Sequence, residues 1–491
     1  MNRFLHRFEN TENALRLTTV LLLLPMFFIT DARILCTTDT GAYLQTISNI
    51  ETHGLAAAIP MDRSVFFGLF LWAGKSYFGL APLLNEIGIQ LPTVPLFEVM
   101  FLPFLLLILA ASHWIETHFH QRPALIVTAS LGIAMTLTPL PWFIFQAMPD
   151  IFTPVVFLYA MIFLYAKSTT TKYISASIII LSALMHLSNL PTLFLFSLGI
   201  LIFQYKFKSH PNLPIWHSNR PKQLLLLSLI PWTITLMMNL WAGNGLTPSK
   251  GSHVFMMGKL CESGVLKAYL EETPLETNPL GVTHPEIKVF YDHKNELPQH
   301  AWDFVWNEQP LLGPTGGWHH SKDLYLGIYS ATLTSPKLLA MHVTAAVKST
   351  FQQVCLNHAG DGLEPLSKDG AVAVELRKHF PKDYQGIFVN PSPQQRATLN
   401  FGWFNQGYDI AAALLIFFAI VVVLKHPQPY QLPLIGLTAY FVFCNAFITA
   451  NLANVLSRLN ARTFWLIPMM CAAIITAAIV DFYKQKNQST R

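Results

Sequence analysis

Apolar runs close to twenty residues long recur along this chain, and no other feature restricts its fold as much. A helix rises about 1.5 Å per residue, so about twenty apolar residues cross the roughly 30 Å hydrocarbon core of a bilayer. Inside that core every backbone N–H and C=O must be satisfied within the element, which leaves helices or a closed barrel. Runs of this length exclude the alternating pattern of a barrel strand. Of the 491 residues, 12% are charged and 52% hydrophobic, against about 25% charged in an ordinary soluble domain. The chain therefore reads as an all-α polytopic membrane protein.

Spans are expected at roughly 14–32, 93–112, 123–141, 151–167, 172–187, 190–206 and 223–241, and after a long polar stretch at roughly 407–424, 432–450 and 463–481. The run from Leu15 to Ile29 is followed by Thr-Asp-Ala-Arg with no small-x-small cleavage site, so it reads as a retained first helix. Val65–Leu80 is moderately apolar and rich in aromatics, and could span or lie at an interface. Counting loop charges decides between these. Arg3, Arg7 and Arg16 place the N-terminus in the cytoplasm. If Val65–Leu80 does not span, Lys206, Lys208, Arg220 and Lys222 share the cytoplasmic side, and the outward connections Pro141–Asp150 and His186–Leu190 hold no Lys or Arg. The expectation is about ten transmembrane helices with both termini cytoplasmic and Val65–Leu80 on the outer surface.

Three regions follow: an N-terminal transmembrane domain over 1–242 with an outer loop 33–92, a soluble insertion over 243–406, and a C-terminal three-helix segment over 407–491. The insertion carries Trp302, Phe304, Trp306, Trp318 and Tyr325 among Gly/Pro turns, so it reads as a folded α or α+β unit, periplasmic in a Gram-negative inner membrane. Ser335-Pro336 opens a helix to about Val354, with Pro in the first turn. Cys261 and Cys355 fall in this region as a disulfide or as two thiols. His293, His300, His319 and His320 match no metal-ligand spacing and read as solvated. No basic stripe points to nucleic acid, so the lipid bilayer is the expected surround.

Two acids stand where spans meet the surface. Asp39 lies in Thr38-Asp39-Thr40-Gly41-Ala42-Tyr43 after the first span, and Asp150 follows Met148-Pro149 before another. Each could cap a helix N-terminus, where its charge meets the positive end of the dipole. Each could instead share an outward cleft, one as general base and the other orienting a hydroxyl or binding a metal. His186, Ser188 and Asn189 end a span on the same face, where His186 could bond carbonyls or contact a phosphate. Arg458 and Arg462, four apart, share one face if their turn is helical. They could snorkel to lipid headgroups or clamp a phosphate.

The layout resembles the GT-C superfamily of integral membrane glycosyltransferases. The matching pieces are Thr38–Tyr43, Met148-Pro149-Asp150 and His186-Leu187-Ser188-Asn189-Leu190-Pro191. Ser252–Leu260 and Asn445–Pro468 are also similar to a set of bacterial membrane proteins with no assigned activity. The GT-C resemblance implies a polyprenyl-phosphate sugar donor and transfer on the outer face to an envelope acceptor. It implies Asp39 as the base on the acceptor hydroxyl, and Asp150 assisting it or holding a divalent metal. Tyr43, His186, Asn189, Arg458 and Arg462 would bind the lipid-linked sugar donor. A second expectation, from another class, is a non-enzymatic membrane protein that binds or translocates an envelope glycolipid, or a subunit of an envelope assembly.

Overall fold

A computed structural model describes Met26 and residues 29–77, 94–119, 121–206 and 218–489. Most of the first expected span, Arg3, Arg7, Arg16, Phe78–Leu80 and part of the 206–222 loop lie outside the described residues. Among the described residues the chain is helical without a strand, which settles the α or α+β alternative for the insertion in favour of α. Leu35 and Gln146 form a parallel bridge, an extended contact between two segments distant in the chain.

Among the described residues five segments are long and apolar enough to cross a membrane: Leu96–His118, Arg220–Trp241, Phe401–Lys425, Gln431–Leu452 and Ser457–Asn487. Four further helices occupy expected span positions but are shorter, at Pro123–Leu137, Phe152–Tyr165, Thr169–Met185 and Asn189–Lys206. The structure thus supports a multi-pass helical membrane protein. Val65–Lys75 forms a helix of 11 residues, about 16 Å long and too short to cross. It buries Phe67 and Leu71 against Thr38–His53 and leaves Trp72 on its other face 39% exposed.

Small residues set the close approaches. A Cβ on Gly199 would fall 1.9 Å from the Tyr440 hydroxyl, so only glycine lets Asn189–Lys206 meet Gln431–Leu452 at this point. A Cβ on Gly68 would fall 2.5 Å from Thr46, which brings Val65–Lys75 onto Thr38–His53.

The 243–406 stretch contributes to two cores. Residues from Val254 to Leu338 build their own cluster around Tyr269, Phe290, Phe304 and Tyr325. Residues from Ala359 to Phe388 join the core of the apolar bundle instead, with Val372, Leu376 and Phe388 buried there. The connecting helix is Pro336–Cys355, opened by Ser335, whose hydroxyl accepts from the Leu338 N–H. Its start and its proline in the first turn follow the sequence expectation. Cys261 is buried and Cys355 exposed, as two separate thiols.

Candidate functional site

Asp39 and Asp150 reach one place because their leading segments are bonded together. Leu35 N–H donates to Phe145 O at 2.6 Å, and Ala147 N–H donates to Leu35 O at 2.9 Å. The Gln394 side chain extends the pairing: its amide oxygen accepts from Cys36 N–H at 3.1 Å and its amide nitrogen donates to Cys36 O at 2.6 Å. Thr37 then starts the Thr38–His53 helix, its N–H donating to Thr40 Oγ1 at 3.0 Å. Gly41 is needed where this helix crosses Ala371–His379, since a Cβ would stand 3.0 Å from Val372 N. On the other side of the bridge, Met148 leads into the Pro149–Ile151 turn that holds Asp150.

Neither acid caps its helix with its side chain. Asp39 sits in the first turn of Thr38–His53 with its carboxylate turned to two guanidinium groups. Arg63 Nη2 donates to Oδ1 at 2.5 Å and Arg458 Nη2 donates to Oδ2 at 2.7 Å. Asp150 takes Arg462 Nη1 on Oδ1 at 2.9 Å. Its Oδ2 faces Arg458 Nε at 3.7 Å, an ion pair with no hydrogen bond. Arg458 therefore stands between both acids. The Asp39 side chain keeps 25% of its surface exposed, whereas Asp150 and Arg462 keep 1% and 0%.

The arginines are aimed by their own helix. Ser457–Phe464 places Arg458 and Arg462 one turn apart on one face, as their spacing implies. Asp361 Oδ2 accepts from Arg458 N–H at 3.2 Å at the helix start. Gln353, buried at the end of Pro336–Cys355, bonds both the N–H and the O of Leu456. Asn445 accepts from Arg462 Nη2 at 2.8 Å and donates to Leu459 O at 2.7 Å, so it fixes the side chain and its backbone together. Ser188 Oγ accepts from Arg462 Nη2 at 2.8 Å and lies 2.8 Å from His186 Nδ1. The Ser188 N–H also points at His186 Nδ1, at 3.2 Å, so that nitrogen is the acceptor and the imidazole is neutral with its proton on Nε2.

Burial would raise the Asp39 carboxyl, but Arg458 and Arg63 outweigh it and hold the group below the usual carboxylate range. At neutral pH it is an anion gripped on both oxygens, a weak base while both cations remain. Arg63 is also placed with care: Asp62 pairs with it at 2.9 Å, and its guanidinium lies 5.7 Å from the Tyr43 ring centre and 5.9 Å from that of Trp306.

Of the residues singled out in the sequence, Asp39, Asp150, Arg458, Arg462 and, through Ser188, His186 form one connected network. Tyr43 and Asn189 belong to its support. Tyr43 is buried beneath Arg63 with its ring edge-on to Phe67 at 4.9 Å. Asn189 is buried between Thr153 and Ser182 O, at 2.8 and 3.2 Å, and locks the start of its own helix. The sequence reading had not given Arg63 or Asn445 a role. Arg63 carried a signal, since Asp62-Arg63 is the only charged pair between Glu51 and Lys75. Among the described residues no three His, Cys, Asp or Glu side chains converge as metal ligands, and Asp150 is bonded by Arg462 on Oδ1 with Arg458 3.7 Å from Oδ2.

A second polar cluster has the parts of a nucleophilic site and the wrong proton placement. Ser48 Oγ lies 2.8 Å from His379 Nε2. Lys75 Nζ, 3.1 Å away, donates to His379 Nδ1, which puts the ring proton on Nε2, directed at the serine oxygen. Ser48 in turn donates to Glu375 at 2.6 Å. In that tautomer Nε2 offers the hydroxyl a proton and no lone pair, and the cluster ties Ala371–His379 to Thr38–His53.

Compared with protein-family models, with curated proteins and with solved structures, the chain matches none of them.

Proposed function

We propose that this chain is an integral membrane glycosyltransferase of GT-C-like design, moving a sugar from a polyprenyl-phosphate donor to an envelope acceptor on the outer face of a bacterial inner membrane. The supporting observation is Asp39: a partly exposed carboxylate held between two arginines, one of which also faces Asp150. A donor phosphate is a better partner for a guanidinium fork than a carboxylate already shared between two cations. When the phosphate takes Arg63 and Arg458, Asp39 loses the charges that depress it and regains ordinary basicity. It then accepts the proton of an acceptor hydroxyl. The acceptor oxygen bonds to the anomeric carbon, the carbon–phosphate oxygen bond breaks, and its electron pair leaves on the phosphate, where the arginines stabilise it. Asp150 is a positioning residue in this scheme: buried, it acts through Arg458 and Arg462. Both termini are cytoplasmic, and the 243–406 region faces outward.

The test compares envelope glycans, by mass spectrometry, in cells carrying wild-type protein or Asp39→Asn. Loss of one glycan with unchanged protein level and membrane insertion supports the enzyme. Full retention sinks catalysis by Asp39 and leaves the non-enzymatic glycolipid-binding reading. That second reading draws on the sealing of the Asp150–Arg462 pair, which is a feature of a fixed binding wall as much as of a reaction centre.

A further inference from the structure

The loop that carries Arg63 also forms one wall of a cleft of about 570 Å³ in the 254–338 unit. That volume is within the range of small-molecule sites. Met61 O accepts from Gly251 N–H at 2.7 Å and from Ser249 Oγ at 3.0 Å, which ties the loop to this unit. The adjoining wall is aromatic. Trp306 and Trp318 stand with ring centres 5.7 Å apart, backed by Phe255, and Trp306 keeps 39% of its surface exposed. A Cβ on Gly251 would fall 2.5 Å from the Trp318 ring, so glycine is what allows that ring its seat.

The polar lining has one sign. Asp62 and Glu308 stand at the cleft with His319 and His320, and no lysine or arginine lines it. Arg63 lies over the Trp306 ring, paired to both Asp62 and Asp39. The charges are thus divided: cations at Asp39, hydroxyl acceptors and ring faces in the cleft. An anionic group is disfavoured beside Glu308 and Asp62, whose one cation, Arg63, is already shared with Asp39. A cation would be drawn to both the carboxylates and the indole faces, but Arg63 already supplies that contact to Asp62 and to the Trp306 ring. A neutral pyranose meets both features. Its C–H face lies on the electron-rich face of an indole, and its hydroxyls donate to carboxylate oxygens.

We infer that the Trp306–Trp318 cleft, lined also by Asp62 and Glu308, is a binding site for a neutral pyranose. On the transferase reading, on which this last step rests, that pyranose is the acceptor sugar, delivered along the Trp306–Arg63–Asp39 line of contacts.

The experiment is saturation-transfer NMR on the full-length protein in a detergent without a sugar headgroup. The probes are the methyl pyranosides of glucose, galactose, mannose and N-acetylglucosamine. Transfer to ring C–H protons of at least one pyranoside is expected, falling at least about tenfold in Trp306→Ala and Trp318→Ala and returning in Trp306→Phe. Added inorganic phosphate should leave the wild-type signal in place, a readout that needs no variant to fold. No transfer from any probe, displacement by phosphate, or undiminished transfer in both alanine variants overturns the inference. Pyranoside binding that persists while Asp39→Asn retains the envelope glycan keeps the cleft and removes the transferase. Loss of the glycan in Asp39→Asn without any pyranoside signal does the reverse.

Discussion

Asp39 and Arg458, 419 residues apart in the chain, meet at 2.7 Å, and the same guanidinium carries its Nε to within 3.7 Å of Asp150. One side chain from the last part of the chain therefore couples two acids from its first third. That coupling makes separate predictions for stability, for ligand binding and for pH.

Removing one member of the sealed pair should be costly, and removing both should not. Arg462→Met leaves Asp150 buried without its closest cation, at an expected cost of about 3–5 kcal/mol. The double variant Asp150→Leu/Arg462→Met removes the uncompensated charge and should recover most of that loss. Thermal unfolding in detergent reads both. A double variant as unstable as Arg462→Met alone would show that hydrogen bonds to Ser188 and Asn445, not the ion pair, carry the stability.

Asp39→Asn should bind phosphate more tightly than wild type while losing transfer. The neutral amide releases Arg63 and Arg458 from their present partner, so inorganic pyrophosphate should stabilise the variant against heat at lower concentration than it does the wild type. Weaker stabilisation would mean that the two arginines are not the phosphate site.

The pH dependence has a definite sign. Burial acts to raise the Asp39 carboxyl, and Arg458 and Arg63 overcome that and hold it below its unfolded value. A depressed folded value gives stability that is complete above the unfolded value, near about 4, and is lost as pH falls through the folded one. Melting temperature followed downward from neutral pH should show an acid-side loss that is smaller in Asp39→Asn. An identical acid limb in the two proteins would remove Asp39 as its source.

Gly199→Ala should weaken the bundle away from the site. The new methyl would collide with Tyr440, whose hydroxyl donates to Leu195 O at 2.9 Å, and overpacking of this kind costs about 1–3 kcal/mol. The variant should melt lower with pyrophosphate binding unchanged at equal folded fraction. Wild-type stability would mean that the helices separate freely here.

The orientation can be read with an impermeant thiol reagent in intact cells. A cysteine introduced in the loop between Lys206 and Lys222 should resist labelling, and one at an exposed position such as Val282 should react. The opposite pattern would reverse the proposed outer face.

How much was legible beforehand differs from residue to residue. The Pro336–Cys355 helix could be read from Ser335-Pro336 because capping is local chemistry. Arg458 and Arg462 could be placed on one face because their spacing repeats the helical turn. Asp150 after Pro149 looked like a cap, and its carboxylate went elsewhere, because a buried guanidinium offers an anion more than a helix end does. Val65–Lys75 was read as an interfacial helix from its aromatics. Gly68 and Phe67 seat one face of it on Thr38–His53 with Trp72 still exposed, a close approach to Thr46 that no local pattern encodes.

By itself the sequence determined that this chain is a helical membrane protein, where the long apolar helices among the described residues fall, and which few polar residues stand between them. These follow from apolar run length and from local capping and spacing, which act within a few residues. Only the tertiary structure decided which acid meets which arginine, that Arg63 and Asn445 belong to the network, and that Tyr43 and Asn189 support it from beneath. The Leu35–Gln146 bridge and the turn held by Gln353 bring those partners together from segments distant in the chain. Charges pair with whatever the packing delivers to them, and packing over such separations leaves no periodic trace in the chain.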